Sequence, residues 1–364
     1  MMRYGLIGGG MMGQEHIRNI ALLGDAAVTA VADPDEAMRA LSLATATSAK
    51  GYLTADDLVS QAEGDVYLVA APNDLHAGLL QTLMATDKPI LVEKPLATTS
   101  AACRDLLSMA KGRAAPIWVA MEYRYMPPVQ RLLRALEEGA TGEARMVAIR
   151  EHRFPFLPKV GDWNRFNART GGTLVEKCCH FWDLMRLILG ADPVRVYASA
   201  GVDVNHRDER YYGRVPDIVD NAFVVVDFAN GARGMLDLCM FAEGSHWQES
   251  IAVTGPRARC EAFIPGPARF APGGAVREAQ FVTSVRALRE EVREVVHTPA
   301  ELLVAGDHHG STFYQHERFL ALVRAGGGTP EVTLEDGYWS VLVGEAAEES
   351  ARSGQAVDLR GRGP

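Results

Sequence analysis

Short apolar runs alternate with amphipathic stretches over the first third of the chain. Residues 4–7, 27–32, 65–70, 89–92 and 117–121 are runs of four to six mostly apolar positions without a helical period, which predicts buried strands separated by helix-length segments. Strands that alternate with helices pair in parallel through right-handed crossovers, so residues 1–121 are expected to form a Rossmann-type, doubly wound parallel sheet. Past residue 121 the rhythm changes. A helical pattern over 126–137 precedes a strand over 143–150, an irregular loop and a second helix over 172–189. Period-two or β-branched runs at 194–200, 218–228, 232–239 and 249–254, with turn signals such as Asn230-Gly231, predict one open, largely antiparallel sheet. The Pro/Gly-rich stretch 265–274 reads as a loop, and helical patterns over 311–324 and 334–350 close the chain. Residues 122–364 are therefore expected to form a second, α/β domain whose terminal helix can pack back on the first.

Composition changes this picture only at its edges. The 364 residues, 48% of them hydrophobic, suffice for two cores. A formal charge of -9 argues against nucleic acid and anionic membrane as partners and leaves a small molecule as the default. No apolar run reaches the ~18 residues of a membrane span, and the stretch 5–13 is broken by glycine, unlike a signal peptide. The five cysteines form no CxxC pair, which suits a reducing compartment and predicts a cytoplasmic protein. No metal is expected, because the adjacent His308 and His309 point different ways and no paired Cys/His spacing is present.

Candidate chemistry begins at Gly8, Gly10 and Gly13, in G-x-G-x-x-G spacing directly after a strand, with Met11 and Met12 opening a helix. Such a turn lets backbone approach a pyrophosphate and aims helix N–H groups at it. Asp33 ends the next strand twenty residues after Gly13, where a carboxylate accepts from a ribose 2'-hydroxyl and repels a 2'-phosphate. NAD is thus expected rather than NADP. The alternative for Asp33 is a helix N-cap ahead of Pro34.

Glu93-Lys94-Pro95 follows an apolar strand and so lies at the carboxyl edge of the sheet, where Lys94 can stabilise an alkoxide beside a nicotinamide. A helix entered through Gly171-Gly172 carries Glu176 and His180 at i, i+4, a spacing that lets the carboxylate orient the imidazole, with Asp183 near the same face.

With these motifs, and with Ala71-Pro72-Asn73-Asp74-Leu75-His76 after the fourth predicted strand, the chain resembles the Gfo/Idh/MocA family of glucose-fructose oxidoreductase and inositol dehydrogenase relatives over nearly its whole length. The resemblance implies a Rossmann domain, a substrate-binding and oligomerisation domain with an open sheet, and a homo-oligomer, dimer or tetramer. It implies Lys94 and His180 as the catalytic pair with Glu176 in support, and Pro72, Asn73, His76 and Glu93 beside the nicotinamide. Glu176 stands where most relatives have Asp and Cys178 where most have Gly. Substrate contacts are expected from Lys94, Tyr123, Lys177 and His180 and from the segment 150–169, including His152, Arg153, Lys159, Trp163 and Arg165. That segment holds five Arg/Lys against two acids, so its cations either bind an anionic carbohydrate or pair within the protein.

Three functions fit. The first is NAD-dependent hydride transfer from a sugar, polyol or sugar acid, with His180 taking the hydroxyl proton. The second is an NAD-dependent glycosidase working through transient oxidation, elimination and re-reduction, which needs a further base from Glu122, Tyr123 or His152. The third is a non-catalytic NAD-binding sensor, against which Lys94 and His180 speak.

Overall fold

The computed structural model describes residues 1–364 apart from residues 271 and 276. The first layer follows the predicted alternation: β1 (Met2–Ile7), α1 (Met11–Leu22), β2 (Ala26–Ala32), α2 (Glu36–Thr45), β3 (Lys50–Tyr52), α3 (Ala55–Gln61), β4 (Val66–Val69), α4 (His76–Met84), β5 (Ile90–Val92), α5 (Ser100–Met109) and β6 (Ile117–Val119). The six strands are parallel in the order β3-β2-β1-β4-β5-β6. Helices cover both faces, so the central strands are apolar on both sides: Tyr4, Leu6, Val31, Leu68 and Leu91 are fully buried. β3 had no apolar run to announce it, since Lys50 and Gly51 are exposed and the strand exists only because β2 offers it a free edge.

The second layer comprises α6 (Pro127–Glu137), β7 (Met146–His152), α7 (Asn167–Thr170), α8 (Thr173–Glu176), α9 (Cys179–Leu189), β8 (Pro193–Gly201), β9 (Asn221–Phe228), β10 (Arg233–Cys239), β11 (Glu249–Thr254), β12 (Ala258–Ile264), β13 (Ala279–Val285), β14 (Glu290–Val296), α10 (Ala300–Ala305), α11 (Ser311–Arg324), α12 (Leu334–Ser353) and β15 (Val357–Asp358). Nine strands form one sheet in the order β14-β13-β12-β11-β7-β10-β9-β8-β15, antiparallel except for β7 beside β10. The expected loop over 265–274 includes residue 271, which lies outside the described residues.

Period-two burial gives this sheet an inner face and an open one. Along β9, Ala222, Val224, Val226 and Phe228 are buried, whereas Phe223 and Val225 are exposed. Register sets Tyr197, Val225 and Met235 side by side on the open face. The same parity corrects one expectation: on β7, Val147, Ile149 and Glu151 point inward, so His152 points to the open face, where its Nε2 lies 3.1 Å from Asp237 Oδ1. It borders neither of the two cavities that Lys94 lines.

The terminal helix α12 packs against α5 and β6 of the first layer and against α8, α9 and β8 of the second. Close approach at its glycines makes this possible: a Cβ on Gly337 would sit 2.9 Å from Leu96, and one on Gly344 would sit 2.6 Å from the Leu174 carbonyl. α11 in turn lies against α1.

Candidate active site

The glycine turn closes over the carboxyl ends of β1 and β4. Gly8 has φ +98°, and a Cβ there would lie 2.5 Å from the Ala70 carbonyl. A Cβ on Gly13 would lie 2.2 Å from the Gly8 carbonyl, whereas Gly10 faces open space. Gly10 is the N-cap of α1 and no side chain caps the helix, so its first-turn N–H groups, including those of Met11 and Met12, are left for an anion. Asp33 Oδ2 accepts from the Gly9 N–H at 2.7 Å and Oδ1 from the Asp35 N–H at 2.8 Å. Asp33 therefore braces the glycine turn. The N-cap of α2 is Asp35 instead, whose side chain accepts from the Met38 N–H. A cavity of about 320 Å³ opens here, bordered by Gly10, Met11, Met12, Pro72, Asn73 and Glu93. His76 is not on its wall: fully buried, it turns Nδ1 to the Pro95 carbonyl at 2.7 Å and Nε2 to the Ala71 carbonyl at 2.9 Å, leaving neither nitrogen for a ligand. The glycine cradle, open N-terminus and bracing carboxylate fit a dinucleotide.

A second cavity, about 450 Å³, adjoins the first and shares Met11, Met12, Lys94, Lys159 and Glu176 with it. Lys94 enters from the end of β5, and its Nζ donates to the Glu176 carbonyl at 3.1 Å. Burial disfavours its charge, but the negative potential of Cys179, Glu176, Glu93 and Glu122 outweighs that and moves its pKa upward, so Lys94 is an ammonium. Its neighbour Glu93 is held at 2.9 Å by His16 Nε2, which continues through His316 to Tyr4 in a fully buried chain.

His180 lies on the same wall, its ring stacked on Tyr123 at 4.1 Å and 9°. Burial, with the cations Lys94 and Lys177, drives its pKa well below the ordinary value and keeps the imidazole neutral. The expected Glu176–His180 pair does not form. The helix is interrupted between α8 and α9 at residues 177 and 178, and although both side chains border the same cavity, no hydrogen bond joins them among the described residues. Gly171 and Gly172 enter at φ +84° and +100°, and the Glu348 carboxylate of α12 accepts from the Leu174 N–H at 3.1 Å, capping the first turn of α8. Glu176 Oε1 instead accepts from Lys159 Nζ at 3.3 Å, and its buried Oε2 has no partner among the described residues. Asp183 pairs with Arg124, not with the imidazole.

Behind His180 lies a buried charge network. Lys177 Nζ donates to the Tyr123 hydroxyl at 2.6 Å and sits 2.9 Å from Glu151, while that hydroxyl donates to Glu249 at 3.2 Å. Register places Glu249 directly opposite Glu151, and burial plus that like charge push its pKa up to about 7. Arg153 lines the cavity, over the Phe154 ring at 4.3 Å. Trp163 borders the glycine-side cavity rather than this one, beneath Lys159. Arg165 borders neither: it is buried, with its Nε 2.9 Å from Glu209, forty-four residues along the chain. Glu15, Glu122 and His308 also border the larger cavity, with one side-chain N or O atom of each within 4.8 Å of the others. Glu15 and His308 were missed as site residues; the only local signal was Glu15 on the turn of α1 after Gly13.

Comparisons agree with the two-layer reading. Residues 2–121 match an oxidoreductase family described as an NAD-binding Rossmann fold, and residues 134–359 match its C-terminal alpha/beta domain. An inositol 2-dehydrogenase of Saccharopolyspora erythraea is 31% identical over 67% of this chain and 68% of its own length. A myo-inositol 2-dehydrogenase of Thermotoga maritima is 26% identical over 98% of both. A solved levoglucosan dehydrogenase in complex with NADH and levoglucosan shares the fold at a TM-score of 0.81, 21% identical over 98% of this chain and 99% of that one.

Proposed function

Because the chain belongs to the Gfo/Idh/MocA oxidoreductase family, whose Rossmann domain binds NAD, we propose that it oxidises a ring hydroxyl of a polyol or sugar. The observation that carries this reading is the placement of a charged Lys94 and a neutral His180 on one cavity that adjoins the Gly10 cradle. Bound NAD supplies the hydride acceptor. The carbinol carbon gives up its hydrogen with both electrons, the hydroxyl proton passes to the neutral imidazole of His180, and a C=O bond forms. Lys94 donates to the oxygen while negative charge builds on it. Stacking on Tyr123, not a carboxylate, holds the imidazole. Asp33 gives the cradle its preference for NAD over NADP.

Ion pairing inside the protein weighs towards a neutral substrate. Lys159 is paired with Glu176 and Lys177 with Glu151, so much of the positive excess of this region is neutralised. In an assay with NAD, myo-inositol and neutral aldoses should give NADH at 340 nm faster than the matching uronates or aldonates. A preference for the acids would sink the neutral assignment.

A second reading is favoured by one observation. Glu122 borders the same cavity as Lys94 and His180, and burial raises its pKa, as an acid/base group for elimination requires. The same assay separates the two, because release of an aglycone from a glycoside without net NADH marks the glycosidase.

Copies of the chain associate, in this reading, through the open sheet face. Phe223 is 64% exposed beside Tyr197, Val225 and Met235, an apolar strip that water covers poorly. Phe223→Lys with Val225→Glu should shift the sedimentation profile to the monomer; an unchanged profile would place the interface elsewhere.

A further inference from the structure

His308, in the turn before α11, and Thr312 and His316 on α11 reach across to α1 and to the turn after β6. His308 Nδ1 lies 2.8 Å from Glu15 Oε1 and 3.6 Å from Glu122 Oε1. Thr312 Oγ1 lies 3.0 Å from Glu15 Oε1 and 2.6 Å from Glu122 Oε2, and His316 closes the chain to His16 and Glu93. A hydroxyl has one proton to give, so Thr312 serves the two acids in turn. Burial moves the Glu122 pKa upward, whereas His308 and Thr312, against burial, hold Glu15 down at about 2. His308 stands between the two acids, which favour its charged form.

His308 borders the substrate cavity together with Lys94 and His180. Its Nδ1–H is engaged by Glu15, and among the described residues its Nε2 has no protein partner. Resting on the carbohydrate-oxidising function above, we propose that His308 is a specificity-determining residue of the substrate site: its Nε2–H donates to a substrate oxygen other than the one oxidised at Lys94 and His180. Glu15 from α1, Glu122 from the turn after β6 and Lys177 are the charged groups facing it. The two acids hold its pKa near 9 against burial and Lys177, so the donor is present throughout the neutral range. A charged donor aimed at a neutral hydroxyl orients the ring without demanding an anionic substrate.

The test uses the NAD-loaded enzyme with myo-inositol, D-glucose and levoglucosan, and with mono-deoxy analogues of whichever is oxidised. H308A is expected to lower kcat/KM by about 10- to 100-fold, mainly through KM, with NAD affinity unchanged. In the wild type, one deoxy analogue should suffer a comparable loss that disappears in H308A. H308Q, which keeps a donor without the charge, should recover part of the activity. The wild-type KM should rise as pH passes about 9, where the imidazolium deprotonates, and the H308Q KM should not. Unchanged kcat/KM in H308A, or equal deoxy penalties in both enzymes, overturns the assignment while hydride transfer stands. A wild type that binds NAD yet oxidises no carbohydrate overturns the functional reading and this inference with it.

Discussion

Replacing Lys94 by alanine is expected to lower kcat/KM by about 1,000-fold or more while NAD affinity stays within a few-fold. The ammonium is buried, and its Nζ hydrogen bond goes to a backbone carbonyl, that of Glu176, so its remaining N–H bonds are available to the substrate oxygen. Losing it removes both a proton donor and the positive charge under a developing alkoxide, in a site where water is a poor substitute. The glycine cradle and Asp33 do not touch Lys94, which is why cofactor binding should survive. Lys94→Arg should rescue little, because a guanidinium places its donors at a different reach and spreads its charge. Single-turnover NADH formation together with equilibrium titration of NAD decides the matter. Activity within tenfold of wild type in Lys94→Ala would remove this residue from the chemistry.

The second large effect is on stability. Arg124 is buried just after β6, on the short 3-10 turn Glu122–Tyr125, and its Nε donates to Asp183 Oδ2 of α9 at 2.6 Å as half of a two-bonded pair. A further Nη1 bond reaches the Glu331 carbonyl at 2.6 Å, and Asp336 of α12 stands 3.5 Å away. Flanking acids hold the guanidinium strongly in its charged form. Asp183→Ala leaves that cation buried with a single distant carboxylate, a defect worth about 3–5 kcal/mol, with Asp336 keeping it towards the lower end. Asp183→Asn, which keeps the acceptor oxygen, should lose less. Denaturant unfolding of both variants checks the size; a loss below about 1 kcal/mol for Asp183→Ala would mean that Asp336 takes over the pair. The damage should also reach the chemistry, because the same turn carries Tyr123 and the same helix carries His180, the two rings stacked against each other.

Local signals made the glycine cradle, the first sheet and the placement of Lys94 readable without any structure. Gly8, Gly10 and Gly13 work within one strand–turn–helix unit, and Lys94 needs only to follow a buried strand to reach the carboxyl edge. Edge strands were another matter. β14 is exposed along nearly its whole length and carries Glu290, Glu291, Arg293 and Glu294, so no apolar period marks it; it exists because β13 has an edge to pair. Sequence spacing misled at Glu176 and His180, because the Glu176 carboxylate is taken by Lys159 from the loop after β7, a partner that no local pattern announces.

The doubly wound domain and its NAD cofactor are legible in the order of a few consecutive residues, and Lys94 and His180 are the pair that the family resemblance implies. Folding settles which charged groups meet. It turned His152 to the open face, gave Arg165 to Glu209, withdrew His76 into the core, and brought His308 across 293 residues to Glu15. A side chain's local neighbours are written in the chain, whereas its ion-pair partner is chosen by packing. Burial without a partner costs more than a chain of this size can spare, so long-range pairing settles each buried charge in a way that no local pattern records.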